Sequence, residues 1–379
     1  MTDIHEFDDI RPFLPEELQD IYDRLLADKR FKDVIATIYP DIPEEKIAAM
    51  IRSCNTNQEF QGRIIYPLIQ GILSKASFGL TADFSGISGN GYTFVSNHRD
   101  IVLDSALLDV VLFDHKLDSV EIAIGDNLLV YPWIKDLVRI NRSFIVQRAL
   151  TMRQMLLASA KMSKYMHYVI TEKGSNLWIA QREGRAKDSN DRTQDSVLKM
   201  IAMGKSGSAI ESLKEMNIVP LAISYEYDPC DYLKAEEFQN KRDIEGFRKS
   251  KQDDLDNMKT GIFGFKGHIH YHAAPCINDW LDSLDPETPK AELFRMTAEH
   301  IDREIHRHYR IYPCNRAAMS ILHGKGDATA EEIAQFEAYI QKKLQMVSIE
   351  NPDRKFLRER ILTMYANPAL NQLQATSLS

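Results

Sequence analysis

"FVSNHRDIVLDSALLDVVLF", Phe94–Phe113, sets a short β-like run against a strongly apolar, helix-like run, with Asn97-His98-Arg99-Asp100 between them. A polar turn joining a strand to a helix is the repeating unit of layered α/β folds. A His at that junction lies on the rim of the sheet, where such folds bind ligands. The same texture recurs along the chain. β-like runs are expected at Val120–Ile124, Ser143–Gln147, Leu177–Gln181, Ile218–Tyr225 and His268–His272. Helical patterns fall between most of them, at Leu103–Phe113, Ala149–Tyr165 and Asp195–Met203. The alternation predicts an α/β fold with a largely parallel central sheet flanked by helices. Just upstream, "ADFSGISGNGYTFVSN" reads as two short strands about the tight-turn dipeptide Asn90-Gly91.

Outside this body the pattern is helical. Glu16–Leu26 and Glu44–Ile51 repeat apolar residues at three-to-four spacing, with "YPDIP" (Tyr39–Pro43) as a breaker. Pro289–Tyr309 is amphipathic, and a further helix starts at the capping box Thr329-Ala-Glu-Glu332. The expected layout is an N-terminal helical region over 1–80, an α/β domain over 81–280 and a C-terminal helical region over 281–379.

Composition narrows the function classes. The chain has 379 residues, is 44% hydrophobic and 27% charged, and carries a net charge of −8. That balance argues against a nucleic-acid surface. The charge is uneven: Lys135–Lys187 holds eleven Lys/Arg against three Asp/Glu, a local +8, so the remainder is −16. A basic block in an acidic chain points to an anionic substrate or surface met locally. Four dispersed cysteines fit a reducing compartment and give no zinc spacing. The acidic N-terminus has no signal-peptide core, and no stretch reaches the length of a membrane span. These features lead us to expect a cytoplasmic protein, for which any contact with lipid must be peripheral.

Several motifs fail on inspection. "HRD" (His98–Asp100) resembles a kinase catalytic loop, but Ser105 stands where the metal-binding Asn belongs. "GKS" (Gly204–Ser206) would need a glycine at position 199, which is Lys199. "HIHYH" places His268, His270 and His272 on one face of a strand, but no carboxylate lies nearby in sequence, so a structural role is expected over a metal site.

The opening turn survives. Imidazole is the side chain best suited to take a hydroxyl proton near neutral pH, provided a carboxylate orients its other nitrogen. Asp100 and Asp104 are both within reach of His98, although Asp100 could merely cap the helix. Further along come "INRSFIVQR" closing on Arg148, "WIAQREGRAKD" with Glu183-Gly184-Arg185, and "IVPLAISYEYD" with Val219-Pro220. Together the four stretches resemble the blocks of the glycerolipid acyltransferase superfamily, namely Asn-His-x4-Asp, Phe-Ile-x-Arg, Glu-Gly-x-Arg and a Val-Pro strand. "FKGHIHYHAAPCI" is similar to its late strand. The resemblance covers roughly Phe84–Ile277. Two departures are visible: five residues separate His98 from Asp104, and Arg185 aligns only across a one-residue deletion.

The resemblance implies an acyltransferase that moves a fatty acyl group from a thioester to a hydroxyl of glycerol-3-phosphate or a lysophospholipid, for phospholipid biosynthesis. It implies His98 as base and Asp104 as its orienting partner. Arg148 and Arg185 would hold a phosphate, Glu183 and Gly184 would organise that basic pocket, and Pro220 with Val219 would shape the acyl groove. Turn amides near His98 are candidates for stabilising the oxyanion. Acyl-CoA or acyl-carrier protein serves as co-substrate, with no cofactor and no metal. Transfer to another lipid or acyl-amino-acid acceptor, or a silent lipid- or carrier-binding protein, are the other readings.

Overall fold

A computed structural model describes residues 2–148, 150–205 and 207–377. Ala149, the expected start of one helix, and Ser206 of the "GKS" triplet lie outside the described residues. Seven strands form one sheet: β1 (Gly79–Asp83), β2 (Thr93–Ser96), β3 (Val120–Gly125), β4 (Ser143–Val146), β5 (Asn176–Ala180), β6 (Ile218–Tyr225) and β7 (His268–Ala273). Their order is β1-β7-β6-β2-β5-β3-β4, parallel throughout except for the β6/β7 pair. The expected α/β class holds.

β2 and β6 are buried along their whole length, as central strands with both faces covered must be. Helix Leu103–Asp114 lays Leu107, Leu108 and Val111 against Phe94, Ile223 and Tyr271 on one face. Helix Met152–Thr171 brings Tyr165, Met166 and Val169 to Leu177, Ile179 and Val95 on the other, where Ile301 and Ile305 complete the layer. Burial on both faces explains why the 103–114 run is apolar almost all round rather than striped.

Two arrangements differ from the sequence reading. The strands on either side of Asn90-Gly91 do not pair. β1 lies at the sheet edge beside β7 and β2 at its centre, with Gly91 and Tyr92 N–H instead bonded to the Asn176 side chain. Two helices, Asp231–Asp243 and Lys251–Phe263, also stand between β6 and β7. The C-terminal helices are tied to this insertion at Asp231, whose carboxylate accepts from Tyr339 Oη (2.6 Å) and Tyr365 Oη (2.9 Å).

One buried carboxylate beneath the sheet has a pH signature. Asp109 accepts from Val120 N–H (2.9 Å) and Gln61 Nε2 (3.1 Å), and burial pushes its carboxyl up to about 7. The folded chain therefore keeps a proton that the unfolded chain releases near the ordinary carboxylate value of 3.8. Stability from this group falls as pH rises through that interval and levels off above about 7. Asp109→Asn cannot ionise. Its melting temperature relative to the native chain is expected to rise between pH 5 and pH 8, and a pH-independent difference would contradict the assignment.

Candidate active site

The site begins with how β2 ends. Asn97 stitches β2 to β6, its Nδ2 donating to Ile223 O (2.9 Å) while its Oδ1 accepts from Ile223 N–H (2.8 Å). Asn97 is thus a backbone clamp that fixes where the next residue leaves the sheet. His98 then turns back over the carboxyl edge, with its ring 5.7 Å from Trp178 in an edge-on approach. Trp178 is held by its own bond from Nε1 to Ser96 Oγ (3.0 Å).

His98 Nδ1 lies 2.8 Å from Asp104 Oδ2. Asp104 sits in the first turn of the 103–114 helix, with its side chain 1% exposed against 14% for His98. Its Oδ2 also accepts from Arg99 N–H (2.6 Å) and Asp100 N–H (3.1 Å), and its Oδ1 accepts from Tyr225 Oη (3.1 Å). Tyr271 Oη donates to the backbone carbonyl of the same residue (2.9 Å). A carboxylate so held places the imidazole proton on Nδ1 and leaves the Nε2 lone pair for a substrate hydroxyl.

Asp100 does a different job. Its Oδ1 accepts from Val102 N–H (2.9 Å) and Leu103 N–H (2.8 Å), capping the helix from two residues upstream. Burial, with Asp104 beside it, raises the Asp100 carboxyl above the ordinary carboxylate range. The fifth residue between His98 and Asp104 is absorbed in this capped turn. Four of the turn amides near His98 are taken: those of residues 99 and 100 bind Asp104, and those of 102 and 103 bind Asp100.

The two arginines have different partners. Arg148 Nη1 donates to Glu183 Oε1 (2.6 Å), joining the ends of β4 and β5, and its Nε is buried without a partner. Gly125 makes room for that guanidinium, since a Cβ there would come within 2.7 Å of Arg148 Nε. Arg185 follows Gly184, whose φ of +66° forms the turn. It reaches the inserted 251–263 helix, with Nη2 3.3 Å from Asn257 Oδ1 and Nη1 buried and unpartnered. One turn later on that helix is Gly261, where a Cβ would lie 2.0 Å from Asp100 Oδ2. Beside Arg185, Lys187, Lys241 and Lys249 converge on the buried Glu237. Burial, with Lys241 and Lys249 close by, pushes the Lys187 ammonium down to about 7.

Pro220 lies inside β6, buried and in register with Val95 of β2. Past β7 the chain bonds to β6 carbonyls, Ala274 N–H to Pro220 O and Ile277 N–H to Ile218 O. The three β7 histidines find separate partners. His268 pairs with Glu226 (2.7 Å), His270 with Thr81 Oγ1 (2.8 Å), and His272 stacks on His308 at 4.0 Å. Tyr225, Asn257, Gly125 and Gly261 are contributors that no motif pointed to, whereas Asn97 stood in the Asn-His block of the sequence.

Residues 85–224 match the Acyltransferase family model, and that segment contains His98, Asp104, Arg148, Glu183, Arg185 and Pro220. Residues 85–224 therefore form an acyltransferase domain, and the enzyme class that this segment defines is that of the acyltransferases. Among solved structures it is similar to the 1-acyl-sn-glycerophosphate (LPA) acyltransferase PlsC from Thermotoga maritima, with 10% sequence identity and a TM-score of 0.37 over 77% of this chain and 96% of that one. No curated protein matches it.

Proposed function

We propose that the enzyme transfers a fatty acyl group from acyl-CoA or acyl-carrier protein to a hydroxyl of glycerol-3-phosphate or a lysophospholipid. The observation that supports this reading is the His98–Asp104 contact of 2.8 Å, with the imidazole at the open edge of the sheet. The acceptor O–H donates to His98 Nε2, and as the proton moves to the ring the oxygen attacks the thioester carbonyl. Collapse of the tetrahedral intermediate expels the thiolate, which takes the proton back from the imidazolium. Asp104 stabilises the ring while it is charged. Among the described residues no Ser or Cys side chain is hydrogen-bonded to His98, which favours direct transfer over an acyl-enzyme. The acceptor phosphate would lie among Arg148 and Arg185, whose unpartnered buried N–H groups suit an oxyanion.

Among the described residues no helix is long and apolar enough to cross a membrane. On this reading the enzyme works at the cytoplasmic face of the inner membrane without spanning it. The reading is tested by thiol release from both donors across a panel of acceptors, including acylated amino acids. Turnover confined to a non-phosphorylated acceptor would overturn the phosphate assignment. Arg148→Ala and Arg185→Ala are each expected to raise KM for the phosphorylated acceptor by about 10–100-fold, the equivalent of one charge-assisted hydrogen bond, with a smaller change in kcat. Unchanged KM in both variants would remove the phosphate site from these residues.

A further inference from the structure

The strongest feature outside the reacting groups is the start of helix Met152–Thr171. From Met162 onward this helix packs into the core, yet its first two turns present Met152, Met155, Leu156 and Leu157 to solvent at 89%, 55%, 61% and 63% exposure. Met152, Met155 and Leu156 share one side by the i, i+3, i+4 rule. The projecting end is a formed helix, held by a capping box in which Thr151 and Gln154 bond each other's backbone N–H. Four large apolar side chains clustered at an exposed helix end mark an interaction surface.

Charge identifies the partner. Arg153 lies among these residues and has no acidic partner among the described residues. Further along the 152–171 helix the pattern reverses: Lys161 and Lys164 are neutralised by Asp9 and Glu6. An unpaired arginine and exposed apolar side chains thus coincide at this end, the combination that binds an anionic lipid surface.

The placement fits the chemistry. β3 and β4 end side by side, Gly125 opposite Val146, and Arg148 N–H bonds Asp126 at that edge. β4 is three strands from β2 in the sheet order, or about 14 Å at the usual strand spacing. Arg148 and Glu183 stand between the patch and His98. We propose that the first two turns of helix Met152–Thr171 insert into an anionic leaflet and set the open edge of the sheet against it. This inference rests on the reading of the acceptor as a membrane lipid or its phosphorylated precursor.

The test is flotation of the purified full chain with phosphatidylglycerol/phosphatidylcholine vesicles and with phosphatidylcholine vesicles alone. The native protein is expected to float with the anionic vesicles. Met152→Ser/Leu156→Ser should weaken that binding by at least ~10-fold, and Arg153→Glu should weaken it in a salt-dependent way. Both variants should keep the native melting temperature and native turnover on water-soluble glycerol-3-phosphate. Flotation needs no turnover, so an inactive protein that still floats would contradict the acyl-transfer reading and leave the docking surface standing. Native binding by both variants, or no binding by the native protein, would overturn the docking surface. So would a native dimer that the double variant dissolves, which would assign the patch to a second copy, or lost affinity for acyl-carrier protein with lipid binding intact.

Discussion

His98→Ala is expected to lower acceptor-dependent turnover by about 10²–10⁴-fold, the usual contribution of a positioned general base. The fold should be little affected. The ring meets Trp178 edge-on and bonds Asp104, but it sits at the sheet rim, while the turn that carries it is fixed by Asn97 and by the Asp104 and Asp100 carboxylates. Losing the imidazole leaves Asp104 with its two backbone donors and Tyr225, so no buried carboxylate is stranded. Circular dichroism and melting temperature check the fold, and thiol release in the presence of acceptor reads the rate.

The second large effect separates the two aspartates. Asp104→Asn should cost nearly as much turnover as loss of the ring. An amide can offer its NH₂ to Nδ1, which makes Nδ1 an acceptor and moves the ring proton to Nε2, the wrong tautomer for a base. Some stability should go too, because one of the two oxygens, both now accepting hydrogen bonds, becomes a donor. Asp100→Asn should behave differently. Asn is as good a cap as Asp, and the Asp100 carboxyl is already raised by burial and by Asp104, so a neutral amide suits the position. Near-native turnover is expected, whereas Asp100→Ala should lose about 1 kcal/mol of stability through the cap alone. An active Asp104→Asn beside a folded but inactive Asp100→Asn would reverse the roles.

What could be read from the sequence follows from what is local. The alternation of apolar strands and helices gave the α/β class, because each element carries its own period. His98 and Asp104 could be paired on paper because one turn of chain connects them. Sheet order could not be read that way. Whether β1 pairs with β2 or with β7 depends on contacts almost two hundred residues apart in sequence, and Asn90-Gly91 signals only a turn. The helices 231–243 and 251–263 carry many charges and weak apolar stripes, so periodicity passed over them. With them went the partner of Arg185, since Asn257 belongs to the insertion. The oxyanion assignment narrowed for a related reason: a sequence shows that turn amides exist, but not that two carboxylates have already claimed those of residues 99, 100, 102 and 103.

The central claim is that the imidazole of His98 takes the acceptor proton. Chemical rescue tests it most directly: acceptor-dependent thiol release by His98→Ala, measured with and without added imidazole across a range of pH. The account predicts a nearly inactive variant whose rate recovers with imidazole, in proportion to the neutral base present and only when acceptor is supplied. A folded His98→Ala that releases thiol at the native rate with no imidazole would contradict it.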